Sequence, residues 1–129
     1  MSFGPPPSQL CLISALPSRE VGDKVRFLGC VTSYYLAAGQ LTLEHRLPDE
    51  NRSVRVIVDV NLVLESLGSD QTRVGEWVNV IGYVTSANIK GRDAEKPTIQ
   101  VQAILLWSAG PLNLQKYEVS VKALDSERN

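Results

Sequence analysis

Apolar and polar residues alternate with a period of two through five stretches of this chain, and each stretch reads as a strand with one buried face. The first, Lys24 to Tyr35, sets Val25, Phe27, Gly29 and Val31 on one side. The second, Gln40 to His45, turns Leu41 and Leu43 inward with Thr42 and Glu44 outward. The third, Ser53 to Val60, aligns Val54, Val56, Val58 and Val60. The fourth, Glu76 to Ser86, sets Val78, Val80, Gly82 and Val84 in one row, and the fifth, Thr98 to Trp107, offers Ile99, Val101, Ala103 and Leu105.

The first and fourth stretches share more than alternation. "VRFLGCVTS" (Val25 to Ser33) and "VNVIGYVTS" (Val78 to Ser86) are identical at five of nine positions, while nothing else repeats, which excludes a solenoid or propeller. A glycine at the centre of each inward row permits a bulge or sharp coil, as a strand needs when it bends around a closed barrel. Between strands three and four the period changes: Leu62, Val63, Leu64 and Leu67 suit a short helix, with Asn61 as N-cap and Gly68 as stop. "LPDENR" and "ANIKGRDAEKP" are polar connections. Beyond Gly110 and Pro111, Leu114, Tyr117, Val121 and Leu124 recur at alternating spacings of three and four, the stripe of a C-terminal helix.

Three strands, a helix, two strands and a final helix predict an all-β chain: a five-stranded OB-fold Greek-key barrel with a helix between strands three and four and a C-terminal helix. The chain divides into a proline-rich leader over residues 1–9, a barrel over 10–111 with Leu10 to Leu16 laid across one end, and a helix and tail over 112–129.

Composition narrows the function. At 129 residues the chain fits one domain with one core. No apolar run approaches the roughly 20 residues of a membrane span. The N-terminus lacks the basic region of a secretory signal, so the protein reads as intracellular. Its formal net charge of -1 gives no general basic surplus, so nucleic-acid contacts must come from a local patch or a more basic partner. Two cysteines and one histidine are too few for a metal site, and no cofactor or small-molecule substrate is indicated. His45 reads as a solvent-facing or turn residue, without a nucleophile whose proximity the sequence argues. Asp59 reads as an outward carboxylate paired with Arg55, and no enzyme is expected.

OB barrels hold single strands on the outer face of strands two and three and the adjoining loops, with cations and stacked aromatics. Here that face carries Thr42, Glu44, Arg46, Arg55, Ile57 and Asp59, without an aromatic. The candidate nucleic-acid contacts are Arg26, Arg55, Lys90, Arg92 and Lys96. The outward rows of strands one and four are stranger: Arg26, Leu28, Cys30, Thr32 and Tyr34 on one, Trp77, Asn79, Ile81, Tyr83 and Thr85 on the other. Large apolar groups facing away from the core require a cover, either the chain's own termini or a partner. The helix stripe poses the same alternative. Its a/d spacing suits a seam with another helix, so Leu114, Tyr117, Val121, Leu124, Trp77, Ile81 and Tyr83 are the candidate partner-binding residues.

The strings "KVRFLGCVTSYY", "VGEWVNVIGYV" and "AILLWSAGPLNL" resemble the fungal Ten-one proteins, the smallest subunit of the telomere-capping CST complex, along nearly the whole chain. The resemblance implies a nuclear protein of the telomeric chromosome region. It would pair with a Stn-type OB subunit in a heterodimer, join the larger CST subunit, and reach telomeric single-stranded DNA mostly through that complex. It also implies that the terminal helix packs on the partner's helix, and that Arg26 reaches partner or DNA from the outer barrel face. The alternative is an autonomous single-strand binder.

Overall fold

The computed structural model describes residues 8–46, 54–89 and 97–128. Among these described residues there are six strands: β1 (Gln9–Leu10), β2 (Lys24–Tyr35), β3 (Gln40–Glu44), β4 (Arg55–Asp59), β5 (Trp77–Ile89) and β6 (Thr98–Ser108). They are accompanied by a one-turn helix α1 (Ser69–Thr72), the terminal helix α2 (Leu114–Arg128), and 3-10 turns at Ile13–Ser18, Leu36–Ala38 and Asn61–Ser66. Strands β2, β3, β4, β6 and β5 pair in that order, and β5 closes back on β2. The result is a five-stranded barrel whose β4–β6 pair is parallel, and the Asn61–Ser66 turn and α1 carry the chain from β4 to β5. β1 adds a short parallel pairing, Leu10 opposite Arg26.

The inward rows of β2 and β5 are buried together with Leu41, Leu43, Val56, Val58, Ile99 and Val101. Burying one such side chain contributes about 1.5–3 kcal/mol. The barrel is plugged from the N-terminal side: Cys11, Ile13 and Leu16 are fully buried among these residues.

The two central glycines, alike in sequence, serve different ends. A Cβ at Gly29 would lie 2.8 Å from Leu43 Cβ and 2.9 Å from Ile13 Cδ1, so this glycine makes room for the plug. A Cβ at Gly82 would collide with the carbonyl oxygen of Gln102. There the β5–β6 register skips a residue, Ile81 facing Leu105 and Gly82 facing Ala103. The expected bulge is therefore found beside Gly82. In β2 it falls further on, between Val31 and Ser33.

Each bulge reverses the side-chain parity beyond it. Past the β2 bulge, Tyr34 packs against the core instead of continuing the outward row. Past the skip at Ile104, Leu106 turns inward and Leu105, expected inside, is 56% exposed. The connection after β4 also differs from expectation. Asn61 opens a 3-10 turn, and its N–H and Nδ2 both donate to Asp59 Oδ1, at 2.9 and 2.8 Å. Asp59 thus acts as a local cap, and in the ladder it faces Gln40 and Gln102 while Arg55 faces Glu44 and Thr98. Gly68 precedes α1 as its N-cap instead of ending a helix.

Candidate partner-binding face

α2 begins one turn beyond Gly110, where Asn113 Oδ1 accepts the Lys116 N–H at 3.0 Å in the manner of an N-cap. The helix lies against its own chain. Val121 is 1% exposed and packs with Leu12, and Leu10 and Tyr117 close around them. Of the four stripe residues, Val121 and Tyr117 are thus turned toward the barrel's N-terminal segment. This corrects the expectation that the whole stripe faces a partner. Two apolar anchors suffice to seat a four-turn helix, and they leave Leu124 40% exposed and Leu114 half-buried. Val119 and Leu112 add to the open apolar surface.

Burial pushes the Tyr117 phenol up to about 12, the Cys11 thiol adding to the rise and Arg26 opposing it. The Tyr117 hydroxyl oxygen is buried without a hydrogen-bond partner. A second polar group lies under the helix. His45, expected to face solvent or sit in a turn, is 5% exposed, with Glu118 of α2 and Trp77 of β5 against it. Its Nε2 is 3.5 Å from Glu118 Oε1, and its ring meets Trp77 edge-on with centroids 5.1 Å apart. Trp77 is consequently half-buried inside its own chain.

The barrel surface beside the helix is continuous and largely apolar. Register places Leu10, Arg26, Ile81 and Leu105 in one row across β1, β2, β5 and β6. The next row holds Leu28, Asn79 and Trp107, and Cys30 faces Trp77 beyond it. Leu28 is buried, whereas Ile81, Tyr83 and Trp107 are half-exposed. The Arg26 guanidinium lies over the Trp107 ring, 5.3 Å from its centroid, an arrangement that flattens the cation onto the face. Burial, then Glu44 and Glu76, raise the Cys30 thiol, which makes it a packing group and a poor nucleophile at neutral pH.

Sequence reasoning missed Leu105 and Trp107. Alternation assigned Leu105 to the core, and Trp107 could have been found only by shifting the parity of β6 after Ile104. It also missed His45 and Glu118, which meet only once the helix is docked.

The opposite face, on β3 and β4, is polar. Thr42 pairs with Ile57 and Glu44 with Arg55, and these side chains are half-buried along the strands. It carries no aromatic platform, and Tyr35, the last residue of β2, is exposed opposite Gln40. Lys90, Arg92 and Lys96 lie outside the described residues. Among the described residues no three His, Cys, Asp or Glu side chains gather as metal ligands, and no helix is long and apolar enough to cross a membrane.

The chain is similar to Ten1 from S. pombe, a telomere capping protein, at 27% identity and a TM-score of 0.67, over 93% of this chain and 99% of that one. A chain of the S. pombe Stn1–Ten1 complex matches at 26% identity and a TM-score of 0.69, over 97% of this chain and 98% of that one. Replication protein A of U. maydis, bound to single-stranded DNA, shares the fold at 20% identity and a TM-score of 0.56, over 93% and 91% of the two chains. Among curated protein sequences no relative matches. The family model for Ten1, the telomere-capping CST complex subunit, matches residues 1–122, and the chain belongs to that family.

Proposed function

We propose that this chain is the smaller OB subunit of a telomere-capping pair, acting without catalysis in the nucleus at the telomeric chromosome region. Its main act is to bind a Stn-type OB subunit. The observation that carries this reading is the partly exposed apolar surface formed by Ile81, Tyr83, Leu105 and Trp107, with Leu114 and Leu124 of α2 beside it. Leaving such a surface wet forfeits roughly 25 cal/mol per Å² of apolar area, and covering it is the role of a partner. The likeness to a chain from an Stn1–Ten1 complex supports the identity of that partner. Val121 and Tyr117 serve the interface indirectly by seating the helix, and Trp77 by supporting it from beneath.

Single-stranded telomeric DNA is reached mainly through the complex, which also includes the larger CST subunit. Arg55 on β4, together with Lys90, Arg92 and Lys96, supplies the DNA contacts of this subunit. Arg26, stacked on Trp107, belongs to the partner side. Size-exclusion chromatography with light scattering tests the reading, on the chain alone and mixed with the Stn-type OB domain. A one-to-one complex is expected. Two unshifted monomer peaks overturn it.

A further inference from the structure

We infer that His45 and Glu118 form a latch that fixes the pose of α2 on the barrel, with Trp77 as its apolar backing, so that the helix meets its partner already oriented. Val121 and Tyr117 seat the helix on Leu10 and Leu12 through apolar packing, which is not directional. A polar contact supplies that direction. His45 Nε2 faces Glu118 Oε1 at 3.5 Å, and the two side chains are 2% and 15% exposed. Glu118 is partly exposed, and the imidazole is the polar group of the barrel that faces its carboxylate. Trp77, edge-on to His45 at 82°, sits on β5, so the latch joins the end of β3, the start of β5 and the second turn of α2 at one point. His45 and Glu118 are positioning residues, since they fix the helix from its barrel side.

The preorganisation step rests on the partner reading above; the latch itself does not. Hydrogen–deuterium exchange on the full chain tests the latch without any partner. Glu118→Ala is expected to speed exchange of the α2 amides at least fivefold while those of β2 stay within twofold of wild type. Glu118→Gln, which keeps a carbonyl oxygen where the carboxylate stood, is expected to restore protection to within twofold. His45→Phe should match Glu118→Ala, and the double variant should exceed neither. Because a buried substitution at residue 45 can disturb folding, the half-buried Glu118 variants decide. Protection unchanged in Glu118→Ala, or unrestored in Glu118→Gln, overturns the latch. Titration with the Stn-type subunit then tests preorganisation, where Glu118→Ala is expected to weaken binding at least threefold. Looser exchange with unchanged affinity overturns that step, whereas a wild-type chain that does not bind overturns the partner reading and leaves the exchange result standing.

Discussion

The barrel presents two outer faces that differ in almost every property except their backbone. On β2, β5 and β6 the outward rows carry Ile81, Tyr83, Leu105 and Trp107; of their cations, Lys24 faces Tyr83 and Arg26 is laid flat on an indole. On β3 and β4 they carry Thr42, Glu44, Arg55, Ile57 and Asp59, and the carboxylate of Asp59 is engaged with Asn61. An OB barrel that grips single strands alone needs cations and stacking rings on the second face. This chain keeps its rings on the first. The distribution of aromatics, more than the net charge, separates a subunit that binds protein from one that binds nucleic acid independently.

The sharpest way to break that contrast is to put charge on the apolar face. Ile81→Asp and Leu105→Asp are each expected to weaken association with the Stn-type subunit by about 100-fold, the scale of losing a central interface contact. The isolated chain should keep its fold, because Leu105 is 56% exposed and both side chains point away from the core. Isothermal titration calorimetry reads the loss and circular dichroism the fold. Equal damage from Thr42→Asp on the opposite face would erase the distinction.

Much of this surface is legible in the sequence, and the failures have two causes, local parity and long-range docking. Period-two alternation placed Trp77, Ile81 and Tyr83 outward and every inward residue of β2 and β5 correctly, since one buried face constrains each strand. It misplaced Tyr34 and Leu105 because one extra residue, at Thr32 and at Ile104, reverses parity without changing composition. Gly82 hinted at the second bulge, but the extra residue lies on its partner strand. The helix stripe was visible as well, whereas its direction was not. A narrow stripe fits a partner helix or two leucines of the N-terminal segment equally, and the choice depends on long-range packing that local pattern does not encode. The meeting of His45 with Glu118 depends on the same docking.

The division of labour along α2 makes a second, smaller prediction. Val121 is buried against Leu12, whereas Leu124 is 40% exposed. Val121→Ala should lower the stability of the helix–barrel contact by about 1–2 kcal/mol through lost burial and an unfilled gap. Leu124→Ala should leave the isolated chain within about 0.5 kcal/mol and weaken the partner complex instead. Urea unfolding read through α2 separates the two. The reverse pattern would mean that the helix docks by its other side.

A weaker effect is expected on the polar face. Arg55→Ala removes one candidate phosphate contact, so the complex should lose about threefold or less in affinity for single-stranded telomeric DNA. The slope of log affinity against log salt should fall by about 0.7, the share of one phosphate on a single strand. Fluorescence anisotropy across a salt series measures both. A loss of tenfold or more from Arg55→Ala would promote β4 from a supporting to a principal DNA surface.

The smallest effect concerns the Tyr117 phenol, buried under α2 without a hydrogen-bond partner. Tyr117→Phe keeps the ring that packs with Leu12 and Val121 and removes only the orphaned hydroxyl, so stability at neutral pH should be unchanged or higher by up to about 1 kcal/mol. The wild-type group titrates near 10 when unfolded and at about 12 in the folded chain. Folding therefore favours the neutral phenol. Its contribution is fully present below pH 10 and is lost as pH rises through 12, where the folded group must ionise beneath the helix. Other side chains titrate over the same range, so the informative quantity is the difference between wild type and Tyr117→Phe. That difference should be flat below pH 10 and should grow in favour of Phe from pH 10 to 12, with α2 loosening first in the wild type. A flat difference throughout would place the hydroxyl in water and the helix further from Leu10 and Leu12 than the packing described above.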